Sequence, residues 1–95
     1  MKHGALIHEP EDDVAVVITD VEAGTEIRVV TLDGKEIVTV TAVEDIPLGH
    51  KIAVRDKTKG KKVVKYGRAI GKASQDIVEG AHVHTQNLIS IRWAK

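Results

Sequence analysis

Apolar side chains alternate with polar ones along several stretches of this chain, and no stretch shows the three-to-four spacing of an ordinary helix. Asp13-Val14-Ala15-Val16-Val17-Ile18 is a β-branched run closed by Asp20 and the turn-forming pair Ala23-Gly24. Residues 25–31 and 36–43 alternate or nearly so, and Leu32-Asp33-Gly34-Lys35 between them predicts a hairpin with a tight Asp-Gly turn. Ile52-Ala53-Val54 and Val63-Val64-Lys65-Tyr66 are short apolar runs, separated by Thr58-Lys59-Gly60-Lys61, which has the composition of a turn. Residues 74–79 are expected to make at most one helical turn, with Ser74 capping it and Gly80 stopping it. Strands at spacings of about 8 to 12 residues with turn signals between them predict an all-β fold, a small barrel or folded-over sheet. No internal repeat or linker is apparent, so residues 1–95 read as a single domain.

The last alternating stretch carries the first candidate chemistry. If Gly80-Ala81-His82-Val83-His84-Thr85-Gln86-Asn87 runs as a strand into residues 88–93, then Val83, Ile89, Ile91 and Trp93 share a buried face. His82, His84, Gln86, Ser90 and Arg92 share the other. The two histidine α-carbons would lie roughly 6.7 Å apart, close enough for both imidazoles to reach one metal ion or anion. Two solvated histidines on an open strand are the plain alternative.

Composition limits what that pair can belong to. A chain of 95 residues has one small core and is unlikely to enclose a deep pocket, so a site here calls for a second wall. With no cysteine, any metal must be held by histidine, carboxylate or substrate oxygen. The absence of a long apolar run leads us to expect neither a membrane span nor a signal peptide, and a cytoplasmic location. The net charge of zero hides an asymmetry: residues 1–45 hold 11 of the 14 acidic side chains and 3 of the 14 basic ones, and residues 46–95 the reverse. The histidine pair lies in the basic half, which favours an anionic ligand. Nucleic acid is disfavoured because Tyr66 and Trp93 are the whole aromatic complement, and residues 57–62 read as a solvated, lysine-rich turn.

Other special residues cluster in the same half. Ile46-Pro47-Leu48-Gly49-His50-Lys51 predicts a rigid turn that presents a histidine and a lysine at the start of a strand. Lys65-Tyr66-Gly67 and Ile70-Gly71 place charged or phenolic groups beside glycines; positive φ at turns is the simple reading of Gly49, Gly67 and Gly71.

Four motifs in order, Asp12-Asp13-Val14-Ala15-Val16, then Ile46 to Ala53, then Val64-Lys65-Tyr66-Gly67 with Ile70-Gly71, then Gly80 to Leu88, resemble the N-terminal domain of altronate and galactarate dehydratases. The resemblance implies a SAF-type, β-clip fold that works beside a much larger catalytic domain. An end at Lys95 matches relatives whose small domain is a separate polypeptide, including the small subunit of sulfolactate sulfo-lyase. It further implies elimination of water, or of sulfite, from a small hydroxy-carboxylate with iron(II) or a similar divalent metal. On that basis His82 and His84 are assigned to the metal or its substrate-bound water, His50 to proton transfer or a substrate hydrogen bond, Lys51 and Lys65 to the substrate carboxylate, and Tyr66 and Asn87 to substrate hydroxyls. Where many relatives have a third histidine, this chain has Gln86, so no three-histidine site is expected within it. The partner implied is a large catalytic subunit, with self-association left open. The rival reading is a binding module for a small anion or a protein, without chemistry.

Overall fold

The computed structural model describes residues 4–90, and its regular structure is entirely β, with nine strands and no helix among the described residues. These are β1 (Gly4–Ile7), β2 (Val14–Val17), β3 (Glu26–Thr31), β4 (Glu36–Thr41), β5 (Lys51–Ala53), β6 (Lys62–Lys65), β7 (Arg68–Ala73), β8 (His82–Val83) and β9 (Leu88–Ser90). They form a six-stranded sheet in the order β4-β3-β1-β2-β5-β8 and a three-stranded sheet in the order β6-β7-β9. Only β1 with β3 is parallel; the other pairs are antiparallel.

Two cores lie on opposite faces of β2 and β5. Ala15, Val17 and Ile52 join Ile7, Ile27 and Val29 in one cluster; Val14 and Ala53 join Val63, Ala73 and Val83 in the other. A strand covered on both faces needs apolar residues at successive positions, which is why Val14 to Val17 reads as an unbroken run. By contrast β3 alternates buried Ile27 and Val29 with exposed Glu26 and Arg28. The predicted hairpin joins β3 to β4, with Gly34 at φ +91° donating its N–H to Thr31 O at 2.9 Å.

The expectation of no internal repeat is overturned. Segments 20–24, 45–49, 56–60 and 76–80 are the same structure four times, each opening on aspartate (Asp20, Asp45, Asp56, Asp76) and closing on a positive-φ glycine (Gly24, Gly49, Gly60, Gly80). They interlock in two pairs, which we call clasps. In the first clasp, Asp20 accepts the Leu48 N–H at 2.8 Å and Asp45 accepts the Ala23 N–H at 2.9 Å. In the second, Asp56 accepts from Glu79 and Asp76 from Lys59, both at 2.8 Å. The residue after each aspartate bridges its counterpart, Val21 to Ile46 and Lys57 to Ile77. Each glycine N–H reaches the strand before the partner arm: Gly24 to Ala42, Gly49 to Val17, Gly60 to Ala73 and Gly80 to Ala53. The described residues thus carry two clasps of the same build, each locally two-fold.

No helical turn forms at 74–79, within the expected limit of at most one, because Asp76 and Ile77 are used as a clasp arm. One further expectation is corrected. The long strand through residues 82–93 is broken by a turn at 84–87, which sends β8 and β9 to different sheets. Val83 is buried as expected, but Ile89 is 58% exposed. Ile91, Arg92 and Trp93 lie outside the described residues. The strands β1 and β7 had not been anticipated. No helix among the described residues is long and apolar enough to cross a membrane.

Candidate functional site

The pairing of β5 with β8 places Ile52 opposite His82 and Lys51 opposite Val83. Alternation then directs His82 to the face of Ile52 and Lys51 to the face of Val83. His50 leaves the first clasp directly after Gly49, its N–H bonded to Pro47 O and its carbonyl to Val17 N, both at 3.0 Å. The Pro-Leu-Gly turn therefore presents His50 beside β8 as a rigid element. His50 Nδ1 lies 2.8 Å from His82 Nε2, and the His50 ring centroid is 4.8 Å from that of His84. His82 and His84 stack nearly parallel, 5.6 Å apart with 7° between the ring planes.

One donor nitrogen from each of His50, His82 and His84 lies within 4.8 Å of the others. Two nitrogens bound to one ion at about 2.1 Å cannot be more than about 4.2 Å apart, so a small ring movement would bring all three onto a divalent metal. The set fits such an ion: imidazole donors only, with positions left open for water, substrate or a partner's side chain. Gln86 does not exclude a three-histidine group, because the third imidazole comes from residue 50. The protonation bias agrees with ligation. His82 is held below its ordinary value of 6.5 first by burial and then by the charges of His50, His84 and Lys51, against the opposing pull of Glu44. Glu44, which sequence reasoning missed, accepts the His82 backbone N–H at 3.0 Å.

Asn87 shapes the turn that carries His84. Its buried amide oxygen accepts the His84 N–H at 3.0 Å and its nitrogen donates to His82 O at 2.8 Å. Gln86 also donates to His82 O, at 3.1 Å. Both side chains are turned toward the backbone of the histidine segment, where Asn87 had been expected to meet substrate hydroxyls.

The lysines and Tyr66 lie elsewhere. Lys51, Lys65 and Tyr66, with Val16, Ile70 and Leu88, line an open groove of about 420 Å³ between the two sheets, and none of the three clustered histidines borders it. Lys65 is 8% exposed, and its Nζ sits 3.4 Å above the Tyr66 ring centroid. Tyr66 has φ +59°, uncommon for a residue with a Cβ. Asp12 holds it there. This fully buried carboxylate accepts N–H groups from Glu9 at 3.1 Å, Tyr66 at 2.9 Å and Gly67 at 3.0 Å. Asp13 accepts Val64 N–H at 2.8 Å and pairs with Lys57 Nζ at 2.9 Å, so Lys57 is no mere solvated turn residue. Gly49 and Gly67 do have positive φ, but Gly71 sits in β7, where a Cβ would come 2.3 Å from Ile89 O. Its role is close approach of β9.

A family profile described as the altronate/galactarate dehydratase SAF domain matches residues 3–90. The chain belongs to this family. It is 36% identical over 89 residues to a (2R)-sulfolactate sulfo-lyase subunit alpha of Chromohalobacter salexigens, a match covering 93% of this chain and 95% of that subunit. It is 45% identical over 65 residues to the corresponding subunit of Paracoccus pantotrophus, covering 68% and 96%. Against altronate dehydratase of Escherichia coli it is 46% identical over 76 residues, covering 80% of this chain but 14% of that enzyme. The SAF domain therefore occurs both as a short subunit and as a small part of a long chain, and in both settings the relatives are lyases.

Proposed function

We propose that this chain is the small subunit of a lyase, presenting its histidine cluster as one wall of a site completed by a large catalytic subunit. The observation that carries the reading is the convergence of His50, His82 and His84 from two separate segments onto one edge of the sheet. Near-full-length similarity to sulfo-lyase alpha subunits supports the two-chain arrangement. The reaction class is β-elimination from a small hydroxy-carboxylate. A C–H bond next to the carboxylate and a C–O bond on the neighbouring carbon break, a C=C bond forms, and proton and hydroxide leave as water; in the sulfo-lyase variant the C–S bond breaks and sulfite leaves.

All three imidazoles would hold a divalent metal, which we take to be iron(II) and which would supply Lewis acidity toward a substrate oxygen. The clustering of a His50 nitrogen with those of His82 and His84, all within 4.8 Å, favours including His50 in the ligand set over a separate proton-transfer part, which leaves the proton-abstracting base to the partner subunit. Asn87 and Glu44 act behind the histidines, fixing the backbone from which two of them project. Identity does not rank the substrates, since 46% to an altronate dehydratase and 45% to a sulfo-lyase subunit are equal for this purpose. The test is to co-express the chain with its large partner and assay altronate, galactarate and sulfolactate with and without iron(II). We expect turnover only from the complex; robust turnover by the isolated chain, or none by a well-formed complex on any of these acids, overturns the reading.

A further inference from the structure

We propose that the face of the large sheet turned away from the first core, across β3, β1 and β2, is where a second copy of this chain docks. Strand register defines the face. Leu6 lies opposite Val16 on one side and Val30 on the other, while Ala5, Ile7, Val17 and Val29 point the opposite way into the core. Val14, on the same face, is covered by the three-stranded sheet. Beyond it the face stands open: Leu6, Val16 and Val30 are only half-buried, and Ile18 and Leu32 are 52% and 66% exposed. A sheet with one wet face alternates apolar with polar residues. Here Ala5-Leu6-Ile7, Val16-Val17-Ile18 and Val29-Val30 are apolar at successive positions, the pattern of strands covered on both sides. Tyr66 borders the face as a rigid aromatic, its backbone set by Asp12 and its ring met edge-on by His8 at 4.5 Å. An open hollow of about 190 Å³, lined in part by Leu6, Val16, Leu32 and Tyr66, lies on the same side.

Two observations select a second copy as the occupant. The first is charge. Alternation places Glu26 and Arg28 on this face, and Glu36 stands opposite Val30, so the margin at β3 and β4 is net negative. The other margin is positive, with Lys51 opposite Val16 and Lys65 beside Tyr66. Two copies packed face to face about a two-fold axis along the strands set each acidic margin over the other's basic one. The patch is thus complementary to itself, as a contact between identical surfaces requires. The second observation is position. His82 is directed to the side of Ile52, which belongs to the first core, so the histidine cluster opens away from this face. A large subunit closing over the histidines approaches the sheet from its other side and leaves this face to another occupant. That step rests on the two-chain lyase reading; the charge argument does not.

The experiment is sedimentation velocity of the isolated chain from about 1 µM to about 1 mM, with amide NMR spectra over the same range. We expect a reversible dimer with a dissociation constant of roughly 10–100 µM, the scale of a small apolar interface. Concentration-dependent shifts should fall at residues 16–18, 28–32 and 66, with His82 and His84 unmoved. Leu32→Asp and Ile18→Asp, at exposed positions outside both cores, should each weaken the dimer about tenfold or more. Val78→Asp, at a similarly exposed position in the second clasp, should leave it unchanged. Glu36→Lys and Lys51→Glu should each weaken self-association, and an equimolar mixture of the two chains should restore it, because every margin again meets its opposite. A chain monomeric throughout, a dimer indifferent to both aspartate variants, or a mixture no tighter than its parts overturns the proposal. So does a face protected only once the large subunit is added, or a dimer that forms only when residues 91–95 are removed, since these give the face to that subunit or to the chain's own terminus. Lyase activity from a complex whose small subunit never dimerises sinks the dimer alone; a dimer whose complexes are inactive on every acid sinks the lyase reading alone.

Discussion

The four clasp glycines form a controlled experiment on what positive φ alone costs. Gly24, Gly49 and Gly60 lie at φ +90°, +85° and +89° with nothing within 4 Å of where a Cβ would stand. Gly80 has the same backbone, φ +91°, but its Cβ would be 2.0 Å from Thr41 O and 3.1 Å from the Thr41 carbonyl carbon. Alanine at the first three should cost only the left-handed penalty of roughly 1–2 kcal/mol each. For a domain of this size that is a fall in Tm of about 4–15 °C. Gly80→Ala must in addition push backbone apart by more than an ångström. The segment it displaces is the end of β4 beside Val40 and Ala42 of the first core, and the Val43 N–H bonds to Gly80 O at 3.0 Å. The loss should exceed about 4 kcal/mol, a large part of the stability of a small domain. Urea unfolding of the four single variants followed by circular dichroism measures this directly. If Gly80→Ala falls within about 0.5 kcal/mol of the other three, the close approach to Thr41 is not a real constraint and the reasoning fails.

Three more outcomes are expected. Asp12→Ala leaves three backbone N–H groups without their acceptor and should cost roughly 3 kcal/mol or more, with Asp12→Asn intermediate; equal stability of wild type and Asp12→Ala in urea would refute the turn-building part given to this carboxylate. Replacing both His82 and His84 by alanine should abolish iron-dependent activity of the complex while the isolated chain keeps a Tm within a few degrees of wild type, since neither side chain belongs to a core; full activity in the double variant removes the metal assignment. Because the folded His82 sits below 6.5, protonation favours the unfolded chain, so its contribution is present above about pH 6.5 and is lost as pH falls through the lowered folded value. Metal-free wild type should therefore lose stability faster than His82→Gln below pH 6.5, and parallel pH profiles of the two would contradict the shift.

Periodicity was informative where a strand has one wet face and misleading where context sets the fold. β3, β4 and their Asp-Gly turn were legible because Glu26, Arg28 and Glu36 mark the solvent side. β7 was not, since Gly71 breaks its pattern for the sake of Ile89 across the strand pair. The repeat could have been read: aspartate, a bridging residue, two variable positions and glycine recur at 20, 45, 56 and 76. It was hidden because the bridging residue is valine or isoleucine in three copies and lysine in the fourth. At the site, the histidines were found from their types, but their grouping was not. His50 and His82 are 32 residues apart, and nothing local says that a clasp brings them to 2.8 Å. The same holds for Asp12 and Asp13, whose bonds to the amides of Val64, Tyr66 and Gly67 span more than 50 residues.

The clasps also order events in time. Their side-chain bonds join residues 28 and 22 apart in the first clasp and 23 and 17 apart in the second, so neither can form by local zippering and each must close a sizeable loop. A chain dominated by such pairings should fold slowly for its length. During synthesis the first clasp can close once Gly49 has emerged, while the second must await Gly80. β8 follows immediately, and only its docking on β5 carries His82 and His84 to His50. The three imidazoles thus become neighbours only after the final arm of the second clasp has emerged, and a growing chain stalled before residue 80 offers no such group to any ion.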